Sequence, residues 1–266
     1  MSQATMVKEE IKSSPDILSE TSKKMTFEEY LLYVPNDDFL YELDKGELIQ
    51  MSAPSGLHTG ICHYLLHEIQ DYLSEQNLPL VVRTSVGVRT NIASSRIPDV
   101  IVCTESLWQE LINRKGSGVF NTGETPVLVI EVVSEDRRVD YVTKRGEYEV
   151  INIPEYWIID SKKQLVRLLT NGDNEEGYIQ EDFFKGDVIA SQVFPGLIIP
   201  VDLILSPPIV ENLRKEEKRQ FLLLSQNLEE ANQRAESESQ RAESEKQRAE
   251  KLAAKLRELG VNIEEI

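Results

Sequence analysis

Two cysteines in 266 residues, Cys62 and Cys103, are too few for a disulfide framework, and neither sits in a CxxC pair. Reduced thiols and a cytoplasmic location are the expectation. Long apolar runs are also missing. Val127-Leu128-Val129-Ile130 and Phe221-Leu222-Leu223-Leu224 are among the longest, far short of the roughly 20 residues of a membrane span. Residues 1–24 contain four acidic and four basic side chains and no apolar signal core, so a disordered leader is expected and a membrane partner is not. Basic charge is scarce: 29 Lys+Arg against 46 Asp+Glu leave a net charge of -17. That excludes a protein whose grip on nucleic acid comes mainly from phosphate neutralisation. Nor is there a GxSxG, Walker, GxGxxG or zinc-ribbon pattern to support serine-hydrolase, nucleotide-binding or zinc-finger readings. Against these absences stands a 40% hydrophobic content with 7% aromatics, enough for a sizeable core.

Composition changes at Ser206-Pro207-Pro208. Residues 211–266 have no proline, a single glycine at Gly260, and a seven-residue repeat, QRAESES / QRAESEK / QRAEKLA. One column reads Phe221, Leu228, Ala235, Ala242, Ala249, Leu256, and the column three further on reads Leu224, Ala231, Glu238, Glu245, Leu252, Leu259. These are heptad positions with a weak Ala/Glu middle, so two readings stand: a solvated charged helix held by ion pairs, or an oligomerising coiled coil. The expected organisation is a globular domain over 25–205, a proline linker over 206–210, a charged heptad helix over 211–260 stopped at Gly260, and a tail over 261–266. Residues 211–266 hold 13 of the acidic and 11 of the basic side chains, leaving 33 and 18 in residues 1–210, a balance of -15. The acidity belongs to the globular part.

Thr26 and Glu29 form a capping-box pattern for a short helix through Tyr33, and Asp44-Lys45-Gly46 marks a hairpin between strands Phe39–Leu43 and Glu47–Met51. Ile61, Leu65, Ile69 and Tyr72 make a helical stripe over 58–75. Strands are expected at Leu80–Arg89, Pro98–Cys103, Pro126–Ser134, Tyr156–Asp160, Leu165–Leu169 and, at an edge, Phe183–Ala190. A helix is expected over Asp140–Val150. The class is mixed α and β.

Glu131 lies within Val127-Leu128-Val129-Ile130-Glu131-Val132-Val133, a run that reads as a strand buried on both faces. A carboxylate there must be protonated, paired with a cation or bound to a metal. Asp99 follows Pro98 at a strand start, where a turn is the simpler reading; paired with Glu131 on a neighbouring strand it could hold a hard divalent ion, Mg²⁺ or Mn²⁺. Lys144 has Asp140 and Tyr148 one turn away on the same helix face, which alone is an ordinary surface pair. Glu42 points inward or outward; alternation does not decide. His63 and His67 are expected on a solvated helix face. His58 follows the stripe and points inward in a structural or supporting role.

Tyr41-Glu42-Leu43 with Gly46-Glu47-Leu48, His58, Pro98-Asp99-Val100, Val129-Ile130-Glu131-Val132-Val133-Ser134, Lys144 and Pro154-Glu155-Tyr156-Trp157-Ile158-Ile159-Asp160 together resemble the Uma2 family of the PD-(D/E)XK superfamily. The resemblance spans about residues 25–205. It implies a restriction-endonuclease-like core, a central mixed β-sheet flanked by helices, with Asp99 and Glu131 as ligands of Mg²⁺ (or Mn²⁺), Glu42 as a further acidic site residue and Lys144 as catalytic lysine. Many superfamily members carry lysine two positions after the glutamate, where this chain has Val133; Uma2-type proteins supply it from the following helix, which fits Lys144. The implied activity is Mg²⁺-dependent DNA endonuclease or nicking enzyme, with DNA as partner; the heptad helix, which lies outside the resemblance, adds the expectation of a homo-oligomer. A different class competes with it: a non-catalytic scaffold on a nuclease-like fold, favoured by the acidic balance and the lack of a Lys/Arg cluster in sequence.

Overall fold

The computed structural model describes residues 24–134, 136–172 and 177–259. The leader and tail expected at the two ends, and the stop at Gly260, fall outside them apart from Lys24. The chain begins with α1 (Phe27–Leu31), then β1 (Tyr41–Asp44), β2 (Glu47–Gln50), α2 (Gly56–Glu75), β3 (Leu80–Arg83), β4 (Gly87–Asn91), β5 (Ser94–Arg96) and β6 (Val100–Thr104). There follow α3 (Glu105–Ile112), β7 (Val119–Phe120), β8 (Leu128–Val132), a π-helical segment (Val139–Lys144) and α4 (Arg145–Val150). The last part comprises β9 (Glu155–Asp160), β10 (Leu165–Asn171), β11 (Tyr178–Phe184), β12 (Val188–Ala190), β13 (Ile198–Pro200), α5 (Val201–Leu205) and α6 (Val210–Glu258).

Local chemistry explains several of these boundaries. The Thr26 hydroxyl accepts from the Glu29 amide while the Glu29 carboxylate accepts from Thr26, so the capping box starts α1. Lys45 and Gly46 both take positive φ, 51° and 85°, the geometry that a two-residue β1–β2 hairpin needs. The single strand expected over Leu80–Arg89 is broken at Ser85, whose φ of 58° turns the chain from one sheet to the other. Similarly Gly186, at φ 93°, splits the expected Phe183–Ala190 strand into β11 and β12.

Two main sheets result, with a small β12–β13 pair. One has the order β2-β1-β5-β4-β7 and the other β11-β10-β9-β8-β6-β3. Both are mixed: β8 runs parallel to β9, and β4 parallel to β7, while the remaining pairs are antiparallel. A side chain at Gly87 would place its Cβ 2.7 Å from the Val119 side chain, so glycine permits the β4–β7 approach.

The central strands of the six-stranded sheet, β6, β8 and β9, are buried on both faces, while the edge strand β11 is largely exposed. Ile61, Leu65, Ile69 and Leu73 of α2 pack on one face with Val100, Val102, Leu128, Ile130, Trp157 and Ile159. Each such side chain contributes about 1.5–3 kcal/mol of burial. On the other face Ile101, Cys103, Val129, Tyr156 and Ile158 meet Tyr148 of α4 and Val86, Val88 and Phe120. Alternation along β8 sends Glu131 to this second face with Val129. The site lies there, between the two sheets and under α4.

Candidate active site

In the β6–β8 ladder Val100 pairs with Ile130, so continuing the register by one sets Asp99 opposite Glu131. Asp99 Oδ2 accepts from the Val132 amide at 2.7 Å, fixing the carboxylate at the end of β8. Glu131 is buried, and its Oε1 lies 2.9 Å from Lys144 Nζ and 2.7 Å from the Tyr148 hydroxyl, which donates to it. Lys144 closes the π-helical segment. A π turn inserts one residue into the helical ladder and so rotates the side chains beyond it to new directions. Lys144 Nζ also meets Asp140 Oδ1 at 3.5 Å and Glu42 Oε1 at 3.6 Å. All four sequence-predicted residues therefore gather in one place: Lys144 touches Glu42 and Glu131, and Asp99 is Glu131's cross-strand neighbour.

Glu42 points inward and is buried. Its Oε1 accepts from the Ile97 amide at 2.9 Å and its Oε2 lies 3.3 Å from Arg96. Arg96, 3% exposed on β5, grips both oxygens of Glu147 at 2.7 Å and reaches Asp44 at 3.0 Å. Thr90 donates to the same Glu147 at 3.0 Å. Arg96 and Glu147 have no motif to mark them. The only signal for Arg96 was a lone cation between Ser94-Ser95 and Ile97-Pro98, in a segment whose burial sequence does not reveal.

His58 reaches Asp99 Oδ2 with Nε2 at 3.2 Å, and Cys62 Sγ lies 3.6 Å from its Nδ1. The inward position expected of His58 thus brings it to the site's edge. His67 differs from expectation: it is 2% exposed, not on a solvated face, because the start of α6 covers that side of α2.

Burial pushes the Glu131 carboxyl well above the usual range; Lys144 opposes the shift, and the negative charges of Asp99, Asp140 and Glu42 add to it. Asp140 is raised for the same reasons, burial foremost and Lys144 opposing. Burial works against the charge on Lys144, but Glu131, Glu42 and Asp140 outweigh it and raise the ammonium's pKa. His58 is also raised: burial lowers it, and the hydrogen bond and charge of Asp99 more than compensate. The Cys62 thiol is pushed up by burial and by Asp99 and Glu131.

Three carboxylates, Glu42, Glu131 and Asp140, thus crowd around one buried ammonium, with Asp99 facing Glu131 from the neighbouring strand and Arg96 behind Glu42. Among the described residues, Glu131 Oε2 and Asp99 Oδ1 carry no hydrogen bond. Uncommitted hard oxygens beside mutually repelling carboxylates are a donor set that suits a divalent cation. His58, Cys62 and Asp99 also offer one atom each within 4.8 Å of one another.

Beyond the site, Asp160 organises a basic rim. It accepts from the Lys162 and Lys163 amides at 3.1 and 2.9 Å and from the Tyr141 hydroxyl at 3.2 Å, and pairs with Arg137 at 3.3 Å. Lys163 Nζ lies 4.5 Å from the Tyr141 ring centroid and the Arg167 guanidinium 5.1 Å. Tyr141 neighbours Asp140 in sequence, so these cations, dispersed along the chain, collect next to the site.

No helix among the described residues is long and apolar enough to cross a membrane. No curated protein matches the chain. The fold is similar to a crystal structure titled as that of a "putative nuclease belonging to DUF820" from Anabaena variabilis, at 19% identity and a TM-score of 0.53 over 68% of this chain and 98% of that one. A family model described as "Uma2: Putative restriction endonuclease" matches residues 27–202, from the first residue of α1 into α5. Because that match takes in both sheets and the whole carboxylate–lysine cluster, and covers well over half the chain, the protein belongs to the Uma2 family.

Proposed function

We propose that the chain is a divalent-metal-dependent endonuclease that hydrolyses DNA phosphodiester bonds, with Asp99 and Glu131 as the ligands of Mg²⁺ or Mn²⁺. The observation that carries this reading is the convergence of Glu131, Asp99 and Lys144 at the end of β8, with Lys144 Nζ 2.9 Å from Glu131. An ion held there would supply Lewis-acid activation of the phosphate and of a water. Lys144 carries the positive charge that meets charge developing on the phosphate, or orients the attacking water. Its contacts to Asp140 and Glu42, at 3.5 and 3.6 Å, are the long ones and the first to be exchanged for substrate oxygens. Glu42 has both oxygens engaged by Ile97, Arg96 and Lys144, so its role is to position the lysine. At the Tyr141 rim Lys163 offers a phosphate contact beside an aromatic face, while Arg137 and Arg167 are paired with Asp160 and Asp182 and would have to exchange those carboxylates for phosphate as DNA approaches.

The reading extends to assembly and location. Phe221, Leu224 and Leu228 of α6 are 62–70% exposed in heptad columns, which supports pairing with a second copy through α6. The free thiols of Cys62 and Cys103 suit a reducing cytoplasm.

The experiment is cleavage of supercoiled plasmid and branched DNA with Mg²⁺ or Mn²⁺ by the native chain beside Asp99→Ala and Glu131→Ala. Nicked or linear product from the native chain and none from the variants is expected. Equal product from all three would end the assignment. No product from any of them, together with no heat of Mg²⁺ binding, would favour the scaffold reading that the -15 balance of residues 1–210 supports.

A further inference from the structure

A second group of potential ligands lies away from the candidate active site, where α6 meets α2. His67 and Asp71 stand one turn apart on α2, and Glu217 comes from the second turn of α6. His67 Nδ1 is 3.2 Å from Asp71 Oδ2, and Nε2 is 3.7 Å from Glu217 Oε1. One atom from each of the three residues lies within 4.8 Å of the others. The imidazole is 2% exposed, yet among the described residues its Nδ1 has no hydrogen-bond partner, since the nearby Asp71 oxygen does not meet it with hydrogen-bonding geometry. A buried nitrogen left unpaired costs about 1–3 kcal/mol, so a partner is expected. Asp71 and Glu217 are about half exposed, which leaves the group open to solvent on one side.

We propose that His67, Asp71 and Glu217 form a binding site for a divalent transition-metal ion, Zn²⁺ by its donors, that fastens the start of α6 to α2. One imidazole nitrogen with two carboxylate oxygens suits Zn²⁺ or a neighbouring first-row ion; Mg²⁺, which takes oxygen ligands and keeps its waters, is a poor fit. Three protein ligands leave a coordination position for water. The role proposed for the ion is to tether the two helices. Beyond Val210 in the main core, Leu213 packed against it, and Glu217, the described part of α6 up to residue 252 is exposed, so an ion here sets how firmly the long helix is held at its root. The inference is independent of the nuclease reading.

The test uses Co²⁺ as a visible probe on the full-length chain in excess Mg²⁺, with Asp99→Ala, Glu217→Gln and His67→Asn variants alongside. Ligand-field bands that Zn²⁺ bleaches are expected for the native chain and for Asp99→Ala. Glu217→Gln changes an exposed carboxylate and should leave folding intact; it is expected to weaken binding by at least the roughly tenfold that loss of even an outer-shell partner costs. His67→Asn should abolish the bands. In hydrogen exchange, Zn²⁺ should protect the first turns of α6 in the native chain and not in Glu217→Gln. Absent bands, bands untouched by Glu217→Gln, or bands lost only in Asp99→Ala would overturn the proposal.

Discussion

Arg96 and Arg234 both face carboxylates, but they do so in different worlds. Arg96 is 3% exposed and closes on Glu147 at 2.7 Å, drawing together residues 42 and 44 of β1 and residue 147 of α4, two segments distant in sequence. Arg234 is 78% exposed and lies 3.4 Å from Glu230, one turn back on the same helix. The domain commits its charges to tertiary contacts that only the folded chain can assemble; the helix pairs its charges with neighbours that are already adjacent in sequence. In the first setting, removing one partner strands another in a low dielectric. In the second, water replaces whatever is lost.

The strongest way to break this comparison is Lys144→Met. It removes the one ammonium among Glu42, Glu131 and Asp140, and should cost about 3 kcal/mol of stability, the lower part of the range for stranding a buried charge, because Glu131 can take up a proton instead. Urea unfolding measures it. Adding Glu131→Gln to Lys144→Met should restore part of the loss, and a double-mutant cycle reads the coupling. Full additivity of the two changes would mean that Lys144 and Glu131 do not act as one electrostatic unit.

A smaller effect on the fold, and a larger one on assembly, is expected from ending the chain after Gln220. The cut keeps Val210 and Leu213 in their packing and Glu217 beside His67, and it removes Phe221, Leu224 and Leu228, which are at least 62% exposed. Domain stability should change by less than about 0.5 kcal/mol, as for surface changes away from special contacts. Sedimentation should show the mass of a single chain for the truncated protein and of an oligomer for the full one. An unchanged association state would remove the heptad pairing from the proposed function.

The same division governs how much of the molecule was legible in its sequence. The helix α6 was legible because its signal is local: a seven-residue period and no proline. The carboxylates were legible because an acid amid Val and Ile on a buried strand has few innocent explanations. Arg96, Glu147 and the burial of His67 were not, since each depends on which distant segment comes to cover it. The break at Ser85 escaped for another reason: a serine at positive φ is uncommon and carries no compositional mark. The cations around Tyr141 lie at 137, 162, 163 and 167, and only the turn built on Asp160 makes a cluster of them.

The finest comparison sets the surface of the domain against the surface of the helix. Arg114 and Glu124 form a two-pronged pair at 2.7–2.8 Å, each about a quarter exposed, and Glu124 also accepts from the Asn121 amide at 2.7 Å. The hydrogen bond from Arg114 is the main cause that holds the Glu124 carboxyl below its usual value; partial burial opposes it, and the Asn121 amide assists. A carboxyl depressed in the folded state adds stability above its unfolded pKa, about 4.3, and loses that contribution as pH falls through the lower folded value. Glu124→Gln should therefore cost under about 1 kcal/mol at neutral pH, after allowance for solvent screening, and the difference from the native chain should vanish in acid. Glu230→Gln should show no measurable difference, because its partner is a single exposed arginine and water replaces what is lost. Urea midpoints for the three proteins across the acid range decide it. A pH-independent cost at Glu124 would place the effect in lost packing rather than charge, and an equal cost at Glu230 would erase the distinction between the two surfaces.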